Sequence, residues 1–267
     1  MIILIDSGNS RIKIGWLDYR MSVAHREPHA AIFDNLNIKS LGQWIITLPK
    51  TPVYAIGSNV AGKQRESIIT HELNSIGCKI RWISAEKKLL GLTNNYEQPL
   101  LLGSDRWASM IGVLSRQTKE HPPIIVASFG TATTIDIISP DNIFIEGIIL
   151  PGTFMMRQAL TNGTANLPMT HANTTNFPTD TVKAINSGIV AAQTGALLHQ
   201  YNAAFHHYKQ APKIYVTGGV WPELETEIRT LIEENRLPNQ QATKINYLDR
   251  PVLDGLACIA KLDLKKN

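Results

Sequence analysis

The sequence predicts an α/β protein of two lobes, and three observations carry that expectation. The first is internal repetition. Ile2-Ile3-Leu4-Ile5 runs into Asp6-Ser7-Gly8-Asn9-Ser10, and Ile124-Ile125-Val126-Ala127 runs into Ser128-Phe129-Gly130-Thr131-Ala132 near the middle of the chain. Each copy reads as a buried strand entering a tight glycine turn. The second is the order strand, helix, strand between Val53 and Ile83, which calls for a partly parallel sheet. The third is length: 267 residues suit one large domain or two of ordinary size, and the repeat at about half-length favours two.

Taken in order, residues 1–5 and 12–17 read as strands joined by a polar turn from Asp6 to Arg11, with alternation in the second. Residues 36–48 read as a helix and 53–56 as a short strand ending at Gly57-Ser58-Asn59. Ile68, Ile69, Leu73 and Ile76 give residues 63–76 helical spacing, and residues 79–83 form another strand. After a loop with Tyr96 and Pro99, Gly103-Ser104-Asp105-Arg106 precedes Trp107, Met110, Ile111 and Leu114 at intervals of three and four. That spacing puts Asp105 at the start of a helix. His121-Pro122-Pro123 then breaks the chain and sets a boundary near residues 116–123, dividing it into lobes of residues 1–118 and 119–267.

The second half repeats the pattern, with strands at 124–127, 133–138 and 143–149, a Pro151-Gly152 turn and helices. Residues 161–180 are rich in Asn, Thr, Pro and Gly and read as a long surface loop of the kind that forms lids. Residues 181–201 read as a buried helix, with Val182, Ile185, Ile189, Ala192 and Ala196 on one side and Gly188 and Gly195 open to a close backbone. A last strand at 213–216 ends in a third glycine-rich turn, Thr217-Gly218-Gly219.

Bulk composition narrows the classes of function. The net charge of +4 comes from scattered Lys and Arg without a basic stripe interleaved with aromatics, so no nucleic-acid partner is expected. No apolar run is long enough to span a membrane, and Met1-Ile2-Ile3-Leu4-Ile5 reaches Asp6 without the basic segment of a signal peptide, so no membrane association and a cytoplasmic location are expected. Cys78 and Cys258 stand far apart among apolar neighbours and read as buried reduced thiols. His199, His206 and His207 have helical spacing but no carboxylate at ligand spacing, and read as solvent-facing.

Two glycine turns lined by short hydroxyl and amide side chains, facing one another, could hold a polyphosphate on backbone N–H groups. The expectation from the residues alone is a two-lobed nucleotide binder. Read alone, the Asp6 turn serves equally well as a plain hairpin, which favours the same residues.

Three separated motifs then agree. Asp6-Ser7-Gly8-Asn9-Ser10-Arg11-Ile12-Lys13, Gly103-Ser104-Asp105-Arg106 and Gly130-Thr131-Ala132-Thr133-Thr134-Ile135-Asp136 together resemble type III pantothenate kinase. Tyr96, Gly147 to Gly152, Thr181, Thr217-Gly218-Gly219 and Pro251 to Leu256 fit the same resemblance, which covers the chain in order. It implies the acetate and sugar kinase, heat-shock chaperone and actin superfamily: two ribonuclease H-like lobes, with mixed sheets flanked by helices and the nucleotide cleft between them. It also implies transfer of phosphate from ATP to pantothenate, giving 4′-phosphopantothenate at the start of coenzyme A synthesis. Mg²⁺, a monovalent cation (K⁺ or NH₄⁺) and a cytoplasmic homodimer come with that resemblance.

Residue by residue, the resemblance gives ATP the turn of Asp6, Ser7, Gly8, Asn9, Ser10, Arg11, Ile12 and Lys13, together with Thr131. Asp6 would meet Mg²⁺, directly or through water, Gly8 would let backbone approach phosphate, and Lys13 would add positive charge. Pantothenate would meet Tyr96, Gly103, Ser104, Asp105, Arg106 and Thr181, with the Arg106 fork suited to its carboxylate. Asp105 is the candidate general base toward the primary hydroxyl. Its place in a first helical turn is expected to hold its pKa down, making it a weak base that mainly orients the hydroxyl. Where Ser128 stands, many members carry an Asp that binds the monovalent cation. Either carbonyls and other groups hold that cation here, or the need for it is weakened. Two rival functions stay open: a non-catalytic nucleotide-binding regulator of the same fold, and a kinase acting on another small molecule.

Overall fold

The computed structural model describes residues 1–18, 31–34, 40–48, 50–52, 54–236 and 242–266. Val53 and residues 36–39 of the expected first helix lie outside them. The chain forms two units, one of residues 1–119 with 250–267 and one of residues 120–249.

In the first unit, β1 (Ile2–Ser7), β2 (Arg11–Leu17), β3 (Ala31–Asp34), β4 (Tyr54–Asn59) and β5 (Lys79–Trp82) form one sheet in the order β3-β2-β1-β4-β5. The β1–β2 and β2–β3 pairs are antiparallel and the β1–β4 and β4–β5 pairs parallel. Helices α1 (Ser40–Ile46) and α2 (Lys63–Ser75) accompany the sheet. Ile3, Ile5, Ile12 and Ile14 pack with Leu41, Ile45, Ile69 and Leu73 in one apolar cluster, so one face of β1 and β2 is closed by these helices. Strands β6 (Lys88–Leu89) and β7 (Leu92–Asn94) make a small hairpin, turned by Leu90 and Gly91 with φ of 48° and 88°. A 3₁₀ turn at Pro99–Leu101 leads into α3 (Ser104–Leu114).

In the second unit, β8 (Ile124–Phe129), β9 (Ala132–Ile138) and β10 (Ile143–Pro151) precede α4 (Thr153–Gly163), α5 (Thr181–Tyr208), β11 (Lys213–Thr217), α6 (Trp221–Glu234) and β12 (Ile245–Tyr247). Its strands run β12-β11-β8-β9-β10, with β8–β9 and β9–β10 antiparallel and β8–β11 and β11–β12 parallel. Numbered within each unit, both orders read 3-2-1-4-5 with the same parallel and antiparallel pairs. The repeated strand-turn motifs of the sequence are therefore the first two strands of a repeated fold.

The final helix, α7 (Pro251–Lys266), corrects the expected division. The sequence pattern assigns residues 250–267 to the second lobe, whereas α7 packs against α3 and β1 in the first unit. Glycine sets that packing. A Cβ on Gly255 would lie 1.8 Å from the carbonyl oxygen of Ala108, and one on Gly112 would lie 2.3 Å from that of Pro251. The two backbones touch where side chains are absent. Arg116 Nη2 reaches Asp254 Oδ2 at 2.7 Å and closes one end of the contact.

Helix α5 is longer than expected, and its buried stripe differs: Ile185, Ile189, Val190, Leu197 and Tyr201 are buried, while Ala192 is exposed. Gly188 and Gly195 face open space where a Cβ would stand among the described residues, so neither marks a close backbone there. His199, His206 and His207 are exposed. Both cysteines are buried and free, and burial pushes the Cys78 thiol up to about 11.

Candidate active site

Asp6 lies on the β1 face opposite the Ile3 and Ile5 cluster, one residue before the strand ends, because side chains alternate along a strand. Its register partner across the antiparallel pair is Lys13, and Lys13 Nζ stands 3.2 Å from Asp6 Oδ2. The carboxylate is 5% exposed, so the ammonium compensates a charge taken largely out of water. The turn between them is closed by Gly8 N–H donating to the carbonyl of Arg11 at 3.1 Å. From α2, Arg65 Nη1 donates to the Gly8 carbonyl at 3.2 Å. Asn9 and Ser10 are exposed at the tip.

Alternation turns two side chains of the expected nucleotide set inward. Ser7 is fully buried, and its hydroxyl has no hydrogen-bond partner among the described residues; Ile12 is a core residue. Their backbones belong to the turn, but their side chains serve the interior. Arg11 pairs with Asp34 across β2–β3 at 3.9 Å, with both groups exposed, a contact of little energetic weight.

The second cluster surrounds the N-terminus of α3. Ser104 and Arg106 are 8% and 7% exposed, and Asp105 between them is partly buried. The Arg106 N–H donates to Asp105 Oδ1 at 2.7 Å. Burial raises the Asp105 pKa from its ordinary value, and the negative charge of Asp6 raises it further; the Arg106 N–H and charge offset part of this. The expected depression by the helix terminus is thus overturned: desolvation and a like charge outweigh it. Asp105 is a stronger base than its position in the helix alone implied. A Cβ on Gly103 would sit 2.7 Å from Asp105 Oδ1, so glycine here makes room for the carboxylate.

Tyr96 and Arg106 meet. Arg106 Nη1 donates to the Tyr96 hydroxyl at 3.2 Å, and the guanidinium carbon lies 5.9 Å from the ring centroid. The loop holding Tyr96 is pinned by Asn94, which accepts from the Tyr96 N–H at 3.0 Å and donates to the carbonyl of Pro99 at 3.1 Å. Sequence reasoning missed Asn94, Arg65 and Ser58. Ser58 is the parallel register partner of Asp6, and its hydroxyl shares a buried 2.8 Å hydrogen bond with that of Ser104. It therefore ties the end of β4 to the first turn of α3, beside both carboxylates. The signal available was Gly57-Ser58-Asn59 ending a strand.

The remaining expected residues belong to the second unit. Thr131 is exposed in the β8–β9 turn, and Thr181 is exposed at the first position of α5. Asp180 caps that helix, accepting from the Lys183 N–H at 2.9 Å. Ser128 is the register partner of both Thr134 on β9 and Thr217 on β11, so three hydroxyl residues stand abreast. Asp136, two residues beyond Thr134 and on the same face, is 2% exposed. Glycine shapes this turn: a Cβ on Gly152 would lie 2.2 Å from the Gly130 carbonyl oxygen, and one on Gly218, at φ 106°, would lie 2.1 Å from that of Phe129.

Among the described residues no three His, Cys, Asp or Glu side chains gather as a metal cage, and no helix is long and apolar enough to cross a membrane. One or two carboxylates beside a phosphate-binding turn are nevertheless what Mg²⁺ uses when substrate phosphates complete its shell. Asp6, with Asp105 within electrostatic reach, fits that donor set.

Comparison with known proteins agrees with this arrangement. Solved structures with the same fold include a Campylobacter jejuni protein described as a conserved Baf family transcriptional activator. It has a TM-score of 0.58 at 19% identity and covers 98% of this chain and 99% of its own. A Sinorhizobium meliloti protein described as a 2-dehydro-3-deoxygalactonokinase gives 0.59 at 11% identity, with the same coverage. At these identities they show the fold alone, a mixed α/β architecture with two sheets flanked by helices. Sequence relatives are much nearer. Proteins named type III pantothenate kinase from Bordetella bronchiseptica and Bordetella petrii are 52% and 51% identical over 260 residues, spanning 97% of this chain and 97% of each relative. The family model described as type III pantothenate kinase matches residues 2–203, which include every site residue named above except Thr217 and Gly218. The chain belongs to the type III pantothenate kinase family.

Proposed function

We propose that the chain transfers the γ-phosphate of ATP to the primary hydroxyl of pantothenate, with Asp105 as general base. The observation that carries the reading is the Asp6, Lys13 and Asp105 group. It combines a paired carboxylate at a phosphate-type turn with a second carboxylate whose proton affinity is raised by burial and by the first. Phosphoryl transfer asks mainly for position and charge neutralisation. In this reading the Gly8 turn and Thr131 hold the ATP phosphates and Lys13 neutralises charge. Tyr96, Gly103, Ser104, Arg106 and Thr181 hold pantothenate, Arg106 taking its carboxylate. Asp105 accepts the hydroxyl proton as the oxygen attacks the γ-phosphorus, and the ADP oxygen leaves. Mg²⁺, held at Asp6 with the ATP phosphates, supplies charge neutralisation when bound.

A monovalent cation, K⁺ or NH₄⁺, belongs to the proposal on weaker terms. Neutral hydroxyls of Ser128, Thr134 and Thr217 would replace a direct carboxylate ligand, so its affinity should be low. A homodimer in the cytoplasm completes the reading, supported by the exposed apolar side chains Ile149, Phe154 and Met155 where β10 meets α4. The regulator alternative finds no support in these residues, since Asp6, Lys13, Asp105 and Arg106 are all in place.

The test is ADP formation by purified protein with ATP and Mg²⁺, comparing pantothenate with a panel of sugars and hydroxy acids, with and without K⁺ or NH₄⁺. Turnover with pantothenate alone supports the reading; turnover only with another acceptor, or ATP binding without ADP formation, refutes it. Complete loss of rate without K⁺ and NH₄⁺ would show that a cation site persists with Ser128 in place of an Asp; an unchanged rate would show that the need for the cation is gone.

A further inference from the structure

Gln193 is a polar side chain in the middle of α5 with no exposed surface, one turn from the buried Ile189, Val190 and Leu197. Both ends of its amide are used on the same pair of strands. Thr133, 1% exposed, donates its hydroxyl to Gln193 Oε1 at 2.6 Å, and Gln193 Nε2 donates to the carbonyl of Pro151 at 2.8 Å. Thr133 is the second residue of β9 and Pro151 the last of β10, and these two strand ends frame the Gly130–Thr131 turn. The frame continues through Gly152, whose N–H donates to the Thr131 carbonyl at 3.1 Å and whose missing Cβ admits the Gly130 carbonyl. A buried amide satisfied on both sides is costly to disturb, because either partner left alone loses its hydrogen bond without regaining water.

We infer that Gln193 is a positioning residue for nucleotide binding: through Thr133 and Pro151 it fixes the backbone of the Gly130–Thr131 turn, without touching the nucleotide. The inference rests on the reading that this turn meets the ATP phosphates. It follows that α5 carries two functions on one rigid element, Thr181 at its start and the clamp on the phosphate turn twelve residues later.

The decisive variants are Thr133→Val, nearly the same in shape but without the donor, and Thr133→Ser, which keeps it. ATP affinity is measured by calorimetry without pantothenate, and KM values for both substrates by ADP release. Thr133→Val should weaken ATP binding and raise the ATP KM by about five- to tenfold, as loss of one buried hydrogen bond implies. The pantothenate KM should stay within about twofold, and Thr133→Ser should restore ATP affinity. Wild-type ATP affinity in a folded Thr133→Val protein overturns the inference. So does an equal loss toward both substrates that serine does not repair, since that is a general packing defect. If the unaltered chain makes no phosphopantothenate, the functional reading fails by itself, and the calorimetric comparison still decides the role of Gln193.

Discussion

Replacing Asp105 with Asn separates chemistry from stability in opposite directions. Asparagine keeps the size of the side chain and an oxygen to accept the Arg106 N–H, a 2.7 Å bond in the native protein. What is lost is the negative charge, and with it the ability to take a proton. A positioned general base contributes about 10²–10⁴-fold, so kcat should fall by that factor, roughly 2.7–5.5 kcal/mol in barrier. Stability should move the other way. Burial and the Asp6 charge raise the Asp105 pKa, so the folded protein binds its proton more tightly than the unfolded chain does. Such a group contributes stability below the ordinary carboxylate value of 3.8 that is lost as pH rises through the raised value. The native protein takes on that burden as pH rises through the raised value, and the neutral amide removes it. Each tenfold difference in proton affinity is worth about 1.4 kcal/mol, and about 1 kcal/mol moves the Tm of a chain this long by roughly 2–4 °C. The assay pairs kcat with thermal melting in metal-free buffer from pH 3 upward. The Asn variant should be nearly inactive and at least as stable as wild type at pH 7, with the difference vanishing at the acid end. Wild-type turnover would remove Asp105 from the mechanism, and a Tm well below wild type at pH 7 would show that the charge holds the fold together.

Gly103→Ala should lower kcat by about tenfold or more with a modest change in Tm, because the new methyl group would press on Asp105 Oδ1, 2.7 Å away; steady-state kinetics beside a melt will show it. Gly255→Ala should act on stability instead: its Cβ would meet the Ala108 carbonyl at 1.8 Å, forcing α7 from α3 at a cost of about 3 kcal/mol, measurable as a lower denaturant midpoint. Lys13→Met leaves the buried Asp6 carboxylate without its ammonium, so both ATP affinity and Tm should fall, whereas Lys13→Arg should keep most of each. Tyr96→Phe removes the hydroxyl that accepts from Arg106, and should raise the pantothenate KM by a few-fold while leaving the ATP KM near wild type.

The main architecture is legible in patterns confined to single elements. Alternation in β2, helical spacing in α3 and the glycine turns after β1 and β8 each have a local cause, and the repeat announces the shared strand order without any contact being known. The motifs Asp6 to Lys13 and Gly103 to Arg106 fall on one unit, where Tyr96 stands against Arg106. What stays hidden depends on chain-distant partners. The return of α7 to the first unit is decided by Gly112 and Gly255 facing Pro251 and Ala108, which no local pattern reveals. Ser58 and Arg65 look ordinary until β4 and α2 bring them to Ser104 and Gly8. The direction of the Asp105 shift is hidden for the same reason: the helix terminus is visible in sequence, but burial and the nearby Asp6 are not. Gln193 is hidden likewise, since its partners Thr133 and Pro151 lie on other elements.

The central claim, γ-phosphate transfer to the primary hydroxyl of pantothenate, is tested most directly by following labelled phosphate from ATP under single-turnover conditions with the product identified by mass and phosphorus resonance. The account predicts one equivalent of ADP for each 4′-phosphopantothenate formed, with the label in the product. Label released as inorganic phosphate while pantothenate is unchanged would contradict it.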